Sequence, residues 1–174
     1  MTPNDRSELQ DWLQQRYDDS VRTAYLLLGN RADAEEAVQD AFLRAWRFRE
    51  SLTDESKFQP WLYRIVVNSC RTKMRQEIRH RDRRASEDNL IFLAARDSDV
   101  SREQAHDVTD ALMDLAPHLR LVVVLRYYLD LSERDIATFI DRAPGTVKSR
   151  LNEARLRLSH HAALSNPQLK ESGT

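Results

Sequence analysis

Apolar residues recur along almost the whole chain at the helical spacing i, i+3, i+4, i+7. The first stripe runs through Leu9, Trp12, Leu13, Tyr17, Val21, Ala24, Tyr25 and Leu28. Gly29-Asn30 ends it, glycine being common just past a helix C-terminus. The second stripe, Ala34, Ala37, Val38, Ala41, Phe42, Ala45 and Trp46, follows without interruption. A polar loop from Ser51 to Lys57 leads to Pro60, which sits near the start of a third helix, where proline costs least. That helix turns Trp61, Leu62, Ile65, Val66 and Ser69 inward and runs into an arginine-rich stretch near His80. Residues 85–102 break the pattern: they are acidic at both ends around a short apolar island, Leu90 to Ala95, and read as a linker. Spacing resumes with Val108, Ala111, Leu112 and Leu115, and Pro117 restarts a helix through Leu119, Val122, Val123 and Arg126. Ser132 and Asp135 form an S-x-x-D cap for a short helix with Ile136, Ala137 and Ile140 inside. Asp141-Arg142-Ala143 turns the chain, Asp141 being the residue that tolerates a left-handed backbone there. A last helix from about Pro144 buries Val147, Leu151, Ala154 and Leu158. Residues 161–174 carry no periodicity and are expected to be a frayed tail. The expected fold is all-α: two small helical domains, 8–84 and 103–160, joined by a flexible acidic linker, the second a four-helix domain containing a helix-turn-helix.

Composition narrows the chemistry. Three glycines in 174 residues argue against glycine-rich phosphate loops and Rossmann turns, which need positive φ or close backbone approach. A single cysteine, Cys70, excludes an internal disulfide and a multi-cysteine zinc site and suits a reducing cytoplasm. Beside Arg71 its pKa could be lowered, but a lone cysteine is more often a buried structural residue. No uninterrupted apolar run approaches the ~20 residues of a membrane helix, and the N-terminus lacks a charged-then-apolar signal pattern. A cytoplasmic protein without membrane insertion is expected.

The formal net charge of −1 conceals strong segregation. Residues 1–40 hold nine acids and four arginines, whereas 64–84 hold eight lysines and arginines and two acids. Residues 85–110 return to seven acids and two arginines, and 145–158 carry four basic residues and Glu153. Two basic segments on a nearly neutral chain suggest two polyanion-binding surfaces, the plainer reading of each being a solvated helix face.

The capped short helix, tight turn and longer basic helix form a helix-turn-helix signature. With Val147, Leu151, Ala154 and Leu158 inward, Thr146, Lys148, Ser149, Asn152 and Arg155 remain for base edges and phosphates. In the third helix Arg64, Asn68, Arg71, Arg75 and Arg79 are spaced by four, three, four and four, which places them on one face. Trp61 and Tyr63 lie at its start, Trp61 fitting the core better than a stacking platform for an unpaired base. No catalytic constellation or metal site is legible. Asp18-Asp19 and Glu35-Glu36 are adjacent pairs that diverge on a helix, and the five histidines lack ligand spacing. No cofactor is expected, and the chain does not read as an enzyme.

The strings DAEEAVQDAFLRAWRF (33–48), FQPWLYRIVVNSCR (58–71) and LAPHLRLVVVLRYYLDLSERDIATFIDRAPGTVKSRLNEARLRL (115–158) resemble the extracytoplasmic-function (ECF) group of sigma-70-class sigma factors, over nearly all of residues 9–160. The resemblance implies a region 2 domain that binds the polymerase clamp and the −10 element and a region 4 domain that reads the −35 element. It places Asp40, Leu43, Arg44 and Trp46 on the helix that meets core RNA polymerase, and the loop from Ser51 to Gln59 where an unpaired −10 base is captured. Arg64, Asn68, Arg71, Arg75 and Arg79 fall to the −10 region, and Lys148, Ser149 and Asn152, flanked by Thr146 and Arg155, to the −35-reading face. The implied partners are core RNA polymerase and promoter DNA, with room for an anti-sigma factor. The chain departs from the family pattern at Thr72, often Asp in relatives, at Asp141-Arg142, often Gly-hydrophobic, and at Glu153, often basic. The competing reading is a conventional helix-turn-helix regulator with an N-terminal effector or dimerisation domain; the basic stripe at 64–84 has no purpose in such a domain.

Limited proteolysis of the full chain is expected to cut first within 85–102. Primary cleavage within 31–48 or 117–158 would contradict the division into two domains.

Overall fold

The computed structural model describes residues 6–87 and 103–165, and the chain divides into two compact units between residues 98 and 99. Among the described residues every regular element is helical. The first unit contains α1 (Arg6–Gln15), α2 (Tyr17–Leu28), α3 (Arg31–Arg47) and α4 (Phe58–Glu87), with single 3₁₀ turns at Arg49–Ser51 and Glu55–Lys57. The second contains α5 (Glu103–Met113), α6 (Pro117–Val123), a π-helical turn over Val124–Tyr128, α7 (Glu133–Ile140) and α8 (Pro144–Ser165).

In the first unit α2, α3 and α4 pack on one another. Their seam is built of small residues, Ser20 and Ala24 on α2, Ala34, Ala37, Ala41 and Ala45 on α3 and Ser69 on α4, which bring the backbones close. Leu27, Val38, Leu62, Val66 and Val67 fill the space between them. Each is fully buried, so truncation to alanine would cost about 2–5 kcal/mol for a leucine. Gly29 closes α2 in the left-handed region (φ 81°) and donates its N–H to the Tyr25 carbonyl at 2.8 Å. Asn30 then opens α3 by accepting the Asp33 N–H at 2.8 Å. The predicted stop is therefore present, and Asn30, read only as part of that stop, also serves as the start of the next helix.

The first stripe is two helices rather than one. Arg16, at φ −103° and ψ 3°, interrupts the hydrogen-bond ladder between α1 and α2. The apolar register continues in phase through this one-residue turn, which is why spacing alone does not show it. Cys70 lies wholly inside the unit, and burial pushes its thiol up to about 12.

In the second unit α8 packs against α5, α6 and α7. Leu119, Val122 and Leu125 meet Ile136, Ile140, Val147, Leu151 and Ala154 in the core. Arg120 is buried with its guanidinium donating to the carbonyls of Met113 (3.4 Å) and Leu115 (3.2 Å), so a side chain satisfies the end of α5 where no glycine is available. Ser132 caps α7: its Oγ accepts the Asp135 N–H at 3.1 Å and donates to Asp135 Oδ2 at 2.5 Å. Asp141 ends α7 at φ 54° and ψ 61°, the left-handed conformation expected of it. Val108 differs from expectation. It is 58% exposed while Thr109 is buried, because the inward face of α5 runs through Thr109 and Leu112, about 100° round the helix from Val108.

Two helices outrun their expected limits, α4 reaching Glu87 rather than 84 and α8 reaching Ser165 rather than 160. Backbone hydrogen bonds propagate past the last packed side chain, whereas an apolar stripe marks only packing. The rest of the expected linker, with the island Leu90 to Ala95, and the rest of the expected tail lie outside the described residues.

One ionic cluster ties α3 to α4. Lys73 Nζ lies 2.9 Å from Asp33 Oδ1 and 2.7 Å from Glu36 Oε2, with only 16% of the lysine side chain exposed. Burial works against the Asp33 carboxylate, but hydrogen bonds from Asn30 and Lys73 and the lysine charge outweigh it and hold its pKa below the ordinary 3.8. Burial likewise disfavours the Lys73 ammonium, yet its hydrogen bonds to Glu36 and Asp33 raise its pKa above 10.5. Asp33, lowered on folding, therefore contributes stability that is full above pH 3.8 and lost as pH falls through its folded value. Lys73, raised on folding, contributes stability that is full below pH 10.5 and lost as pH rises through its folded value.

All three tryptophans, Trp12, Trp46 and Trp61, belong to the first unit, so their fluorescence reports its unfolding in the intact chain. Lys73→Ala is expected to destabilise this unit by about 1–2 kcal/mol on a plateau between pH 4 and pH 10, with the difference from the parent shrinking at lower and higher pH. A difference that stays constant through both extremes would show that the cluster does not titrate with folding.

Candidate nucleic-acid interface

Helix α8 sorts its side chains by register. Val147, Leu151 and Ala154 are buried, while Lys148, Ser149, Asn152 and Arg155 are exposed and Thr146 is half-buried at the N-terminal turn. The exposed group forms a polar face over the first three turns of the helix, the part that reaches base edges when such a helix enters a major groove. Arg155 is oriented from outside α8: its Nε–H donates to the Tyr127 hydroxyl at 2.8 Å, and its guanidinium carbon stands 5.9 Å from the Tyr127 ring centroid. It also donates from Nη1 to Asn152 Oδ1 at 3.1 Å. Glu153, the acid on this side of the helix, is paired with Arg157 at 2.9 Å.

Tyr127 belongs to the π-helical turn, which apolar spacing does not reveal. There the Leu129 N–H bonds back five residues to the Val124 carbonyl at 3.1 Å, and Asp130 takes φ 52°. Arg126 fixes the turn by donating to the Leu131 carbonyl at 2.9 Å. The string LRYYLDLS gives an aromatic pair and an aspartate able to adopt a left-handed backbone, but an i to i−5 bond leaves no spacing signal of its own.

On α4, Arg64, Asn68, Arg75 and Arg79 are exposed and Arg71 is half-buried. The five form one stripe along the helix, with Arg71 Nη1 donating to Asn68 Oδ1 at 3.3 Å and Arg79 Nε to the Arg75 carbonyl at 3.3 Å. Thr72 donates its hydroxyl to the Asn68 carbonyl at 3.0 Å. Lys73, counted within the same basic run, points to α3 instead and its charge is consumed there.

On α3, Asp40, Leu43 and Arg44 are exposed, Leu43 by 68%, whereas Trp46 is half-buried with the Arg49 guanidinium 5.4 Å from its ring centroid. Phe48, not singled out from the sequence, is 57% exposed at the C-terminal end of the same helix. The face thus joins two charges of opposite sign to a pair of exposed apolar side chains.

The loop between α3 and α4 is anchored by the buried Leu52 and by a chain of hydrogen bonds. The Trp61 indole N–H donates to Ser51 Oγ at 3.2 Å, and that hydroxyl donates to the Phe48 carbonyl at 2.7 Å. Trp61 is therefore half-buried and polar-bonded, neither wholly core nor freely stacking. Asp54 accepts from the Ser56 hydroxyl and N–H, which hold its carboxyl below the usual range. Next to this loop Trp12, Gln15, Arg16, Glu55 and Phe58 line a small open cavity of about 170 Å³.

Among the described residues, no group of His, Cys, Asp and Glu is arranged to hold a metal ion, and no helix is long and apolar enough to cross a membrane.

Comparison with known proteins matches these two units separately. Residues 12–80 match Sigma-70 region 2, and residues 105–158 match Sigma-70, region 4. The chain is 31% identical over 155 residues to the ECF RNA polymerase sigma-E factor of Haemophilus influenzae, a match covering 80% of each. It is 37% identical over 138 residues to the ECF RNA polymerase sigma factor SigM of Mycobacterium tuberculosis, covering 79% of this chain and 68% of that one. Among solved structures, the sigma factor RpoE of Bartonella quintana, in complex with the anti-sigma factor NepR, superposes with a TM-score of 0.69 at 25% identity, covering 90% of this chain and 99% of that one. With both sigma-70 regions in one chain, in this order, and a relative of this similarity matched over four-fifths of its length, the protein belongs to the ECF sigma factors of the sigma-70 family.

Proposed function

We propose that this sigma factor binds core RNA polymerase through α3 and carries it to promoters through two DNA faces with different tasks. The observation that carries this reading is the presence, in one chain, of two exposed polar-cationic helix faces on two separate compact units. The outer face of α8, Thr146, Lys148, Ser149, Asn152 and Arg155, contacts the −35 element in the major groove. The α4 stripe, Arg64, Asn68, Arg71, Arg75 and Arg79, follows the backbone of the −10 region, and the loop from Ser51 to Gln59 receives an unpaired base as the duplex opens. Along a strand backbone, guanidinium groups bind phosphates of any sequence; in a major groove, amide, hydroxyl and guanidinium groups alike can discriminate among base edges. Asp40, Leu43, Arg44 and Trp46 form the polymerase surface, whose exposed apolar and charged groups are those of a protein contact.

Domains 8–84 and 103–160 each hold one DNA face, and polymerase holds both in register on one promoter, raising their effective concentration. The protein acts by binding, without covalent catalysis, metal or cofactor, in the cytoplasm where its polymerase works. The likeness to a sigma factor solved with an anti-sigma factor supports an inhibitory partner that covers one of these faces. A conventional helix-turn-helix regulator would leave the α4 stripe without a task, and it would not copurify with core polymerase.

Arg44→Glu should weaken binding of the full chain to core polymerase about tenfold or more, with unchanged helicity by circular dichroism. Equal affinity would remove α3 from the polymerase surface.

Holoenzymes carrying Asn152→Ala or Arg75→Ala should separate the two faces on promoters with varied −35 sequences. Asn152→Ala is expected to cost ~1–3 kcal/mol on the preferred −35 element and to alter which sequence is preferred. Arg75→Ala should weaken all promoters alike and reduce the salt slope of binding by ~0.7–0.9. The assignment fails if Arg75→Ala changes −35 preference and Asn152→Ala does not.

A further inference from the structure

Asn152 is the one residue of the exposed α8 face whose hydrogen-bonding ends can be told apart. Its Oδ1 faces Arg155 Nη1 at 3.1 Å. A guanidinium has donors and no acceptor, so the amide must turn its oxygen toward Arg155 and its NH₂ group away. Arg155 cannot swing freely, because its Nε–H is held by the Tyr127 hydroxyl at 2.8 Å and its charge lies 5.9 Å from the centre of the Tyr127 ring. Tyr127 in turn stands on the π-helical turn fixed by Arg126 and the Leu129 N–H. It is 57% exposed, so core packing does not account for its ring, whereas the contact with Arg155 does.

We infer that Tyr127 is a positioning residue for promoter reading: acting through Arg155, it locks the Asn152 amide so that α8 offers a two-donor group at that point of the −35 element. This rests on the reading of α8 as the −35-contacting helix. Guanine presents two acceptors in the major groove, O6 and N7, and thymine presents O4; cytosine presents a donor there, and adenine a donor beside an acceptor. A free asparagine matches adenine in bidentate fashion, accepting from N6 and donating to N7. The bond from Arg155 takes one of the two lone pairs of Oδ1 and fixes the plane of the amide, so that match is weakened, and the outward NH₂ group favours guanine or thymine. The three residues thus convert an amide that would ordinarily read adenine into one that disfavours it.

The test uses holoenzyme reconstituted from core polymerase and the full chain, with equilibrium binding to promoters varied one −35 base pair at a time. Asn152→Ala identifies the base pair by flattening preference there. Tyr127→Phe keeps the ring and removes the hydroxyl; it should shift the ratio of adenine to guanine affinity at that same base pair about tenfold toward adenine, leaving other positions and the melting temperature unchanged. Arg155→Lys, which keeps the charge and loses the planar fork, should produce a similar shift, and combining it with Tyr127→Phe should add nothing further at that base pair. If Asn152→Ala leaves every −35 preference intact, the reading of α8 fails and the inference with it. If Asn152→Ala flattens one base pair while Tyr127→Phe leaves its adenine-to-guanine ratio unchanged, or weakens all duplexes equally, positioning by Tyr127 is overturned while the reading of α8 stands.

Discussion

A helix that must bury Val147, Leu151 and Ala154 against α6 and α7 has no freedom left in what it shows outward. Those three positions, spaced by four and three, consume one side of α8, and the 3.6-residue repeat dictates that Lys148, Ser149, Asn152 and Arg155 occupy the other. The same constraint holds the turn in place. α7 has to end so that α8 can reach the shared core, and Asp141 ends it by taking a left-handed backbone that a β-branched residue would resist. Packing in the second unit and its DNA-facing surface are therefore two consequences of one periodicity.

The first unit solves a different problem, a strongly basic helix laid beside one whose N-terminal half is acidic. Along the chain the basic run looks like a single block, but α4 divides it by direction. Lys73 turns inward to Asp33 and Glu36 and joins the helices, whereas the arginines at 64, 75 and 79 remain at the surface. The residue types suit their places. An ammonium on a flexible stem can meet two carboxylates on successive turns, while planar guanidinium groups suit phosphate oxygens. Opposite charges from the acidic N-terminal segment are thus spent partly on internal cohesion, and the cationic character of the surface stripe survives.

Most of this is legible in the sequence. The helix boundaries at Gly29, Pro117, Ser132 and Pro144 follow from residues whose backbone or side-chain chemistry starts or stops a helix, and the structure places them there. The α8 face was legible because burial and exposure on a packed helix are complementary sets. Three features were not. The break at Arg16 preserves the apolar phase, so no pattern betrays it. The outward turn of Val108 depends on which side of α5 meets α6 and α8, a tertiary choice between Val108 and Thr109, side chains of similar size and shape, that places the more polar one inside. The contact of Tyr127 with Arg155 joins residues 28 apart through a π-helical turn, and neither partner's local sequence points to the other.

Cys70 has a consequence for how such a protein can be controlled. It is the only thiol in the chain, wholly enclosed by the first unit, and burial pushes its pKa up to about 12, so the thiolate is scarce at neutral pH. Peroxide and other electrophiles attack the thiolate, and here it is both scarce and walled off from solvent. At Cys70 the folded chain therefore offers an oxidant no reactive thiol. An oxidative signal that works through thiol chemistry has to be sensed by another molecule and delivered as a change in binding.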